Sequence, residues 1–259
     1  MGPGIKTPII LMYHGIVAGQ VSALKGRDVG ADIYDVKKED FVRHMSVLDE
    51  GRYEATKGFA CCEKGAKKVI ITFDDGEINN FTEAYPVLKE FGFPAYFFVI
   101  ARRIGQKGYM GWEELKALRE GGMVVGSHGL SHEILTNLQD TQIKEELAAS
   151  KRYIEKNLGI VVDALSIPRG FCNDKILRMA KAIGYKHVFI SERPMSVRLP
   201  CWSRVVVKGN WSIERFKQAV RGEVPMRERV NEIVKNSLKF VLRERGYNTV
   251  RSLVIKILK

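Results

Sequence analysis

The sequence predicts an α/β fold built on a parallel sheet, and two observations support this prediction. First, short apolar runs of strand type alternate along the chain with segments of helical periodicity. Second, these runs are apolar at successive positions rather than at alternate ones, so both faces of each strand are expected to be buried. Strand, helix, strand in this order implies right-handed crossovers, which leaves two architectures open: a doubly wound open sheet or a closed barrel.

The predicted elements follow one another regularly from the start of the chain. Six strands and a weaker seventh are predicted at residues 9–13, 69–73, 95–100, 123–126, 164–167, 187–190 and 204–207. Helices are predicted at about residues 37–50, 80–91, 112–120, 141–157, 173–183 and 212–220. Asn173 and Ser212 are residue types that cap helix starts, while Gly92 and Gly184 follow two helix ends.

Composition restricts the class of protein. The chain has 259 residues, of which 45% are hydrophobic and 28% charged, and this balance excludes disordered and fibrous proteins. No run approaches the roughly 18 apolar residues of a membrane span, and the first residues lack the features of a signal peptide. The four cysteines are Cys61, Cys62, Cys172 and Cys201. They have no CxxC spacing and suggest neither a zinc site nor a set of disulfides, which favours a reducing compartment. We therefore expect the protein in the cytoplasm or at the cytoplasmic face of the membrane.

Titratable residues directly follow several predicted strands. His14 follows the first strand, Asp74 and Asp75 follow the second, and His128 comes just after the fourth. In both architectures left open, ligands bind at the carboxyl ends of the parallel strands. The sequence therefore predicts a site at this edge of the sheet.

Three of these side chains form a predicted metal site. Asp75, His128 and His132 offer one carboxylate and two imidazoles, a set that suits zinc or another first-row divalent ion. His128 and His132 are four residues apart in SHGLSH, so a helical turn here would put both rings on one face. Asp74 and Asp75 are adjacent in TFDDG and their side chains diverge, so one is expected to bind metal and the other to accept a proton. Gly76 then permits a tight turn.

The motifs TFDDG and SHGLSH, with LMYHGI near the start and YMGWEELKALREGG before the second motif, resemble those of polysaccharide deacetylases, carbohydrate esterase family 4. The similarity extends over roughly residues 5–221. It implies a distorted, incomplete (β/α) barrel, which here has about seven parallel strands. It also implies a divalent metal ion, Zn²⁺ by preference, held by Asp75, His128 and His132, with Asp74 as general base. The implied activity is a metal-dependent hydrolase that removes N-acetyl groups from a polysaccharide or glycan through a metal-activated water.

The chain departs from the family pattern at two motifs. Residues 166–170 read Ser-Ile-Pro-Arg-Gly where the family has Arg-Pro-Pro-Tyr-Gly, so the arginine that supports the base is missing. Arg169 and Arg204 are the two candidates to replace its guanidinium, and the resemblance implies that the backbone N–H of Arg169 contacts the oxyanion. No histidine follows His187, where the family has its general acid. By elimination His14 is the expected acid, as in members that act on poly-N-acetylglucosamine and related exopolysaccharides.

Two other functions stay open beside this one. The missing arginine and late histidine favour a catalytically impaired homologue that only binds carbohydrate, although the intact TFDDG and both ligand histidines argue against it. A metal hydrolase of another C–N bond would need a different pocket shape, which the sequence does not give. The substrate partner expected is an N-acetylated glycan, and the oligomeric state is left open.

The net charge of +12 is concentrated at the end of the chain. Residues 203–259 carry 14 basic and 5 acidic residues, so +9 of the total lies there. We expect a catalytic barrel over residues 1–221 and a basic amphipathic helical tail over residues 222–259, packed on or beside it. One hypothesis is that residues 250–259 also bind an anionic membrane surface. Nucleic-acid binding is not expected, because the tail lacks interleaved aromatic residues.

Overall fold

A computed structural model describes residues 7–19, 27, 31–59, 66–191 and 197–223. Nine of its strands form one sheet that curves into a nearly closed barrel, with helices outside. In chain order the strands are β1 (Ile9–Tyr13), β2 (Ile16–Val17), β3 (Val36–Lys37), β4 (Glu54–Ala55), β5 (Lys68–Phe73), β6 (Ala95–Val99), β7 (Val124–Ser127), β8 (Ala164–Ser166), β9 (His187–Ile190), β10 (Trp202–Ser203) and β11 (Val205–Val206). The helices are α1 (Lys38–Glu50), α2 (Tyr85–Glu90), α3 (Trp112–Glu120), α4 (Asp140–Leu158), α5 (Asp174–Ile183) and α6 (Ile213–Val220).

The order of the strands explains how the barrel closes. Neighbouring strands run β10-β9-β8-β7-β6-β5-β1-β11, β4 pairs with β5, and all these pairs are parallel. β10 and β11 therefore lie at the two opposite edges of the sheet. Only Arg204 separates them in the chain, so residues 202–206 cross the gap between β9 and β1. The incomplete (β/α) barrel predicted from the sequence is confirmed.

The predicted elements agree with the observed ones apart from details. The seventh predicted strand is β11, and the sheet has two further strands, β4 and β10, whose two residues each are too few to form a pattern. The second predicted helix begins as a π-helical turn, Asn80–Ala84, and continues as α2. Asn173 and Ser212 cap α5 and α6, since their side chains accept the N–H groups of the third helical residues at 3.0 and 3.2 Å.

Both faces of the sheet are apolar, as the continuous runs predicted. The outer face packs against the helices, and aromatic rings continue across neighbouring strands: Tyr13 stacks on Phe73 at 5.5 Å and Phe73 on Phe97 at 4.8 Å. Alternate residues on the other face form a separate, smaller cluster that includes Phe98 and Phe189. Because the core is complete on both sides, polar groups concentrate at the carboxyl ends of the strands.

Several predictions lie outside the described residues. Residues 224–259, which hold nearly all of the predicted basic tail, are among them, and so are Cys61 and Cys62. The tail and the domain boundary at residue 221 therefore stay predictions. Within the described ranges, none of the helices has the length and apolar character needed to cross a membrane.

Candidate active site

The two aspartates lie on a sharp turn after β5. Asp74 is 2% exposed, and the chain then passes through Asp75 with φ of 74° and Gly76 with φ of 75°. A side chain on Gly76 would come within 2.9 Å of Val99, so this position needs glycine for space as well as for its backbone angle. A left-handed conformation at a residue other than glycine costs about 1–3 kcal/mol and is typical of functional sites.

Asp75, His128 and His132 converge, as the sequence predicts. Each histidine Nε2 lies 3.5 Å from Oδ1 of Asp75, and ligand atoms of all three residues lie within 4.8 Å of one another. Oδ1 of Asp75 is buried and accepts no hydrogen bond. A buried carboxylate oxygen without a partner, facing two imidazole nitrogens, fits a divalent cation with mixed nitrogen and oxygen ligands.

The convergence has a different local cause from the helical turn considered above. Residues 128–132 form no helical turn; Gly129 and His132 instead adopt left-handed conformations, with φ of 78° and 67°. Nδ1 of His128 lies 2.9 Å from the carbonyl oxygen of Ser166 and donates a hydrogen bond to it. This hydrogen bond leaves Nε2 of His128 with its lone pair toward Asp75, the tautomer a metal ligand needs.

A buried guanidinium holds Asp74. Arg204 donates two hydrogen bonds to it, from Nη1 to Oδ1 at 2.8 Å and from Nη2 to Oδ2 at 2.7 Å. The Ser166 hydroxyl donates to Oδ2 at 3.0 Å and accepts from Nη2 of Arg204 at 2.8 Å. Burial alone raises the pKa of Asp74, but the charge and hydrogen bonds of Arg204 outweigh burial and hold the pKa well below its usual range. Asp74 is therefore ionised at neutral pH.

The structure separates the two arginines proposed for the third motif. Arg204, from the segment between β10 and β11, is the one beside Asp74, and its side chain is 0% exposed. Arg169 lies in the turn Pro168–Gly170 after β8, with an exposed side chain and φ of 56°. Ser166 thus occupies the sequence position of the missing arginine, while Arg204, from another strand end, supplies the guanidinium beside Asp74. The oxyanion role of the Arg169 N–H stays a prediction.

His14 directly follows β1, and the charges of Asp74 and Asp75 act on its ring. Its ring stacks on Tyr34 at 4.9 Å, and its buried Nδ1 has no hydrogen-bond partner in the described structure. Burial lowers the pKa of His14, while the charges of Asp75 and Asp74 act in the opposite direction. The ring is coupled to the site, and its role as general acid stays a prediction.

A second group of buried charges, which no sequence pattern predicts, interacts electrostatically with Asp75. Arg27 pairs with Glu77 at 2.6 Å and with Asp35 at 2.5 Å. Burial raises the pKa of Glu77 to about 7, although Arg27 acts against this. Glu77 directly follows TFDDG, but Arg27 and Asp35 follow no predicted strand and no motif. The sequence therefore contains no signal that these three residues lie together.

The fold and the site define a (β/α)-barrel protein with a candidate metal centre at the carboxyl ends of its strands. The sequence model of the family described as polysaccharide deacetylase matches residues 62–188. YxkH of Bacillus subtilis (strain 168), provisionally named a polysaccharide deacetylase, is 34% identical over 188 residues, which are 70% of this chain and 63% of that protein. The chain therefore contains a polysaccharide deacetylase domain.

One further relative and one solved structure were found to be similar to this chain. A poly-beta-1,6-N-acetyl-D-glucosamine N-deacetylase of Staphylococcus aureus (strain MRSA252) is 26% identical over 179 residues, 61% of this chain and 62% of that protein. The chain thus spans less than two thirds of the length of both curated relatives. The structure of the Streptococcus pyogenes deacetylase PplD in complex with acetate shares the fold, with a TM-score of 0.72, 24% identity, and coverage of 84% of this chain and 99% of that one.

Proposed function

We propose that the protein is a metal-dependent hydrolase that removes N-acetyl groups from a glycan built of amino sugars, of the poly-N-acetylglucosamine type. One observation carries the proposal: Asp75, His128 and His132 converge beside an ionised Asp74 that is already held by Arg204. The family assignment and the name of the Staphylococcus aureus relative support the same chemistry and the same class of substrate.

Asp75, His128 and His132 would hold the ion, and two imidazoles with one carboxylate favour Zn²⁺. When bound, a divalent cation supplies Lewis-acid chemistry, which polarises an amide carbonyl and makes water more acidic. With three ligands from the protein, such an ion would still have positions open for substrate and water. A substrate bound at the carboxyl ends of the strands would therefore lie close to Asp74 and His14.

Asp74 is the proposed general base. Because Arg204 and Ser166 contact both of its oxygens, the carboxylate is fixed in one orientation and keeps its charge. It accepts a proton from the attacking water as the C–O bond forms. Such a base typically contributes at least about 10²-fold to turnover.

His14 is the proposed general acid and Arg169 the proposed oxyanion donor. The amine that leaves as the C–N bond breaks is a poor leaving group unless it is protonated, and the His14 imidazole supplies that proton. The backbone N–H of Arg169 would donate a hydrogen bond to the oxygen of the tetrahedral intermediate. Burial favours the neutral form of His14, so the imidazole must take up a proton before it can act as an acid. The charges of Asp75 and Asp74 favour that protonated form.

Metal content and acetate release from N-acetylated glycans test this proposal together. The panel includes poly-β-1,6-N-acetylglucosamine, peptidoglycan and chitin oligomers, with an O-acetylated glycan as the contrast. We expect one divalent ion per chain, acetate release from an amide substrate, and loss of both in Asp75→Ala. A metal-loaded protein that binds these glycans and releases no acetate would instead be the impaired homologue, and release of another product would indicate a different C–N bond.

The basic tail and the location of the protein are proposed separately. Residues 222–259 are proposed to form a basic helical tail packed on or beside the barrel. Its last part, residues 250–259, is proposed also to bind an anionic membrane surface at the cytoplasmic side, where each nearby Lys or Arg contributes about 1 kcal/mol. Co-sedimentation with anionic vesicles at low salt compares the full chain with a version ending at Tyr247. Equal binding, or no binding by either, would leave the tail as packing on the barrel.

A further inference from the structure

Glu146 lies in the second turn of α4 and contacts the loop between His128 and His132. Its Oε2 accepts the N–H groups of Leu130 and Ser131, both at 3.0 Å, and its Oε1 accepts the Ser131 hydroxyl at 2.5 Å. Glu146 is 8% exposed. A buried carboxylate is costly unless hydrogen bonds compensate for lost hydration, and here one loop supplies three of them.

The same loop is held from its other side through its carbonyl groups. The oxygen of Gly129 accepts the N–H of Ala101 at 3.1 Å, and the oxygen of Leu130 accepts the N–H of Arg102 at 2.9 Å. Donors of the loop therefore contact α4, while acceptors contact the turn after β6. Buried backbone groups need such partners, so the loop would have to open to water if either set were lost.

The loop needs this support because its backbone is strained. His132 has φ of 67°, and the left-handed region costs a residue with a side chain about 1–3 kcal/mol. Such a conformation persists only where surrounding contacts impose it. The conformation also brings the rings of His128 and His132 together, with centroids 4.9 Å apart.

α4 also holds the beginning of the loop. The Ser127 hydroxyl donates to the hydroxyl of Ser150 at 2.9 Å and accepts the N–H of Gly129 at 3.2 Å. Ser150 lies four residues after Glu146, so both side chains project from the same face of the helix. One helix face thus contacts the loop at its start and at its centre.

We propose that Glu146 is a positioning residue for the metal centre: its carboxylate sets the left-handed loop and so aligns the imidazoles of His128 and His132 before an ion binds. This inference rests on the proposed metal-dependent function. Replacing a group that orients metal ligands in this way typically lowers metal affinity by about 10–100-fold. The effect of Glu146 is therefore expected in metal affinity first.

The test compares Glu146→Met with Glu146→Gln by titrating Zn²⁺ alone into metal-free protein, with a competing chelator. We expect Glu146→Met to bind Zn²⁺ about 10–100-fold more weakly and to give an altered Co²⁺ absorption spectrum. Glu146→Gln should stay close to the unsubstituted protein, because its amide oxygen still accepts the two N–H groups. The matched control is Glu145→Gln, one residue earlier on α4 with a side chain 67% exposed, which should change neither readout.

Each outcome separates positioning from a role in stability alone. A folded Glu146→Met protein with unchanged Zn²⁺ affinity would overturn the proposal, even if its melting temperature fell. If Glu146→Met does not fold, Ser131→Ala decides: it removes one of the three hydrogen bonds and should weaken Zn²⁺ binding to a smaller extent. Unchanged affinity in Ser131→Ala would then overturn the proposal. If the unsubstituted protein binds no Zn²⁺, the proposed function itself fails, and this result differs from all the others.

Discussion

Replacing Arg204 with methionine would leave Asp74 buried without its cation. Both side chains are almost completely buried, at 0% and 3% exposure, and two hydrogen bonds of 2.7–2.8 Å join them. Removing one member of a buried pair costs about 3–5 kcal/mol, because the remaining charge has no compensation. In a domain of this size each kcal/mol lowers the melting temperature by about 2–4 °C, so we expect a fall of about 6–20 °C.

The loss in Arg204→Met should depend on pH. In the unsubstituted protein, Arg204 holds the pKa of Asp74 below its value in the unfolded chain, so the stabilisation is complete at neutral pH and is lost in acid. Without Arg204, burial raises the pKa of Asp74, and protonation then relieves the buried charge as the pH falls. The difference in stability between the two proteins should therefore narrow as the pH is lowered from about 7 towards 4.

Thermal unfolding followed by circular dichroism measures this effect, with the double variant Arg204→Met/Asp74→Asn as control. The double variant has no uncompensated charge, so it should regain most of the lost stability while staying inactive. Arg204→Met with an unchanged melting temperature would refute the reasoning. So would a double variant no more stable than the single one, since the loss would then come from packing against Phe98 and Phe189 rather than from charge.

Three further predictions concern single side chains. Asp74→Asn should keep its metal and lose turnover by about 10²-fold or more, measured as acetate release; loss of metal as well would mean that the two aspartates have exchanged roles. His14→Ala should slow hydrolysis of an amide much more than that of an activated ester, whose leaving group needs no proton, and equal losses would contradict a role as acid. Burial lowers the pKa of His44 to about 4, so as the pH falls the unfolded chain takes up a proton at this residue before the folded protein does. The free energy of unfolding of the metal-free protein should therefore fall by about 3 kcal/mol between about pH 6.5 and 4. His44→Phe, which keeps an aromatic ring against Phe216, should lack that share of the acid sensitivity in urea unfolding.

The sequence predicts the centre of the site well because strand ends are easy to locate. Continuous apolar runs place Asp74, Asp75 and His128 at the same edge of a parallel sheet, and the structure brings Asp75 and His128 together there. The motifs predict the identity of the ligands, and the convergence of His132 with them follows although the loop is left-handed rather than helical.

The supporting residues were harder to predict because they depend on closure of the barrel. Arg204 was one of two candidates, and nothing local distinguishes it from Arg169, since its partner Asp74 lies 130 positions earlier in the chain. Glu146 belongs to the predicted helix over residues 141–157, where a glutamate is unremarkable, and only packing of α4 shows that it faces the loop. Two-residue strands such as β10 carry no period at all.

The position of Arg204 between the last two strands links assembly of the barrel to the orientation of the Asp74 carboxylate. A chain cut or halted before residue 204 lacks β11 and the cation of Asp74 at once, and it leaves the edge of β1 unpaired. Unpaired strand edges attract other chains, so such a fragment would be prone to aggregation as well as inactive. Completion of the fold and fixation of the Asp74 carboxylate are thus one event.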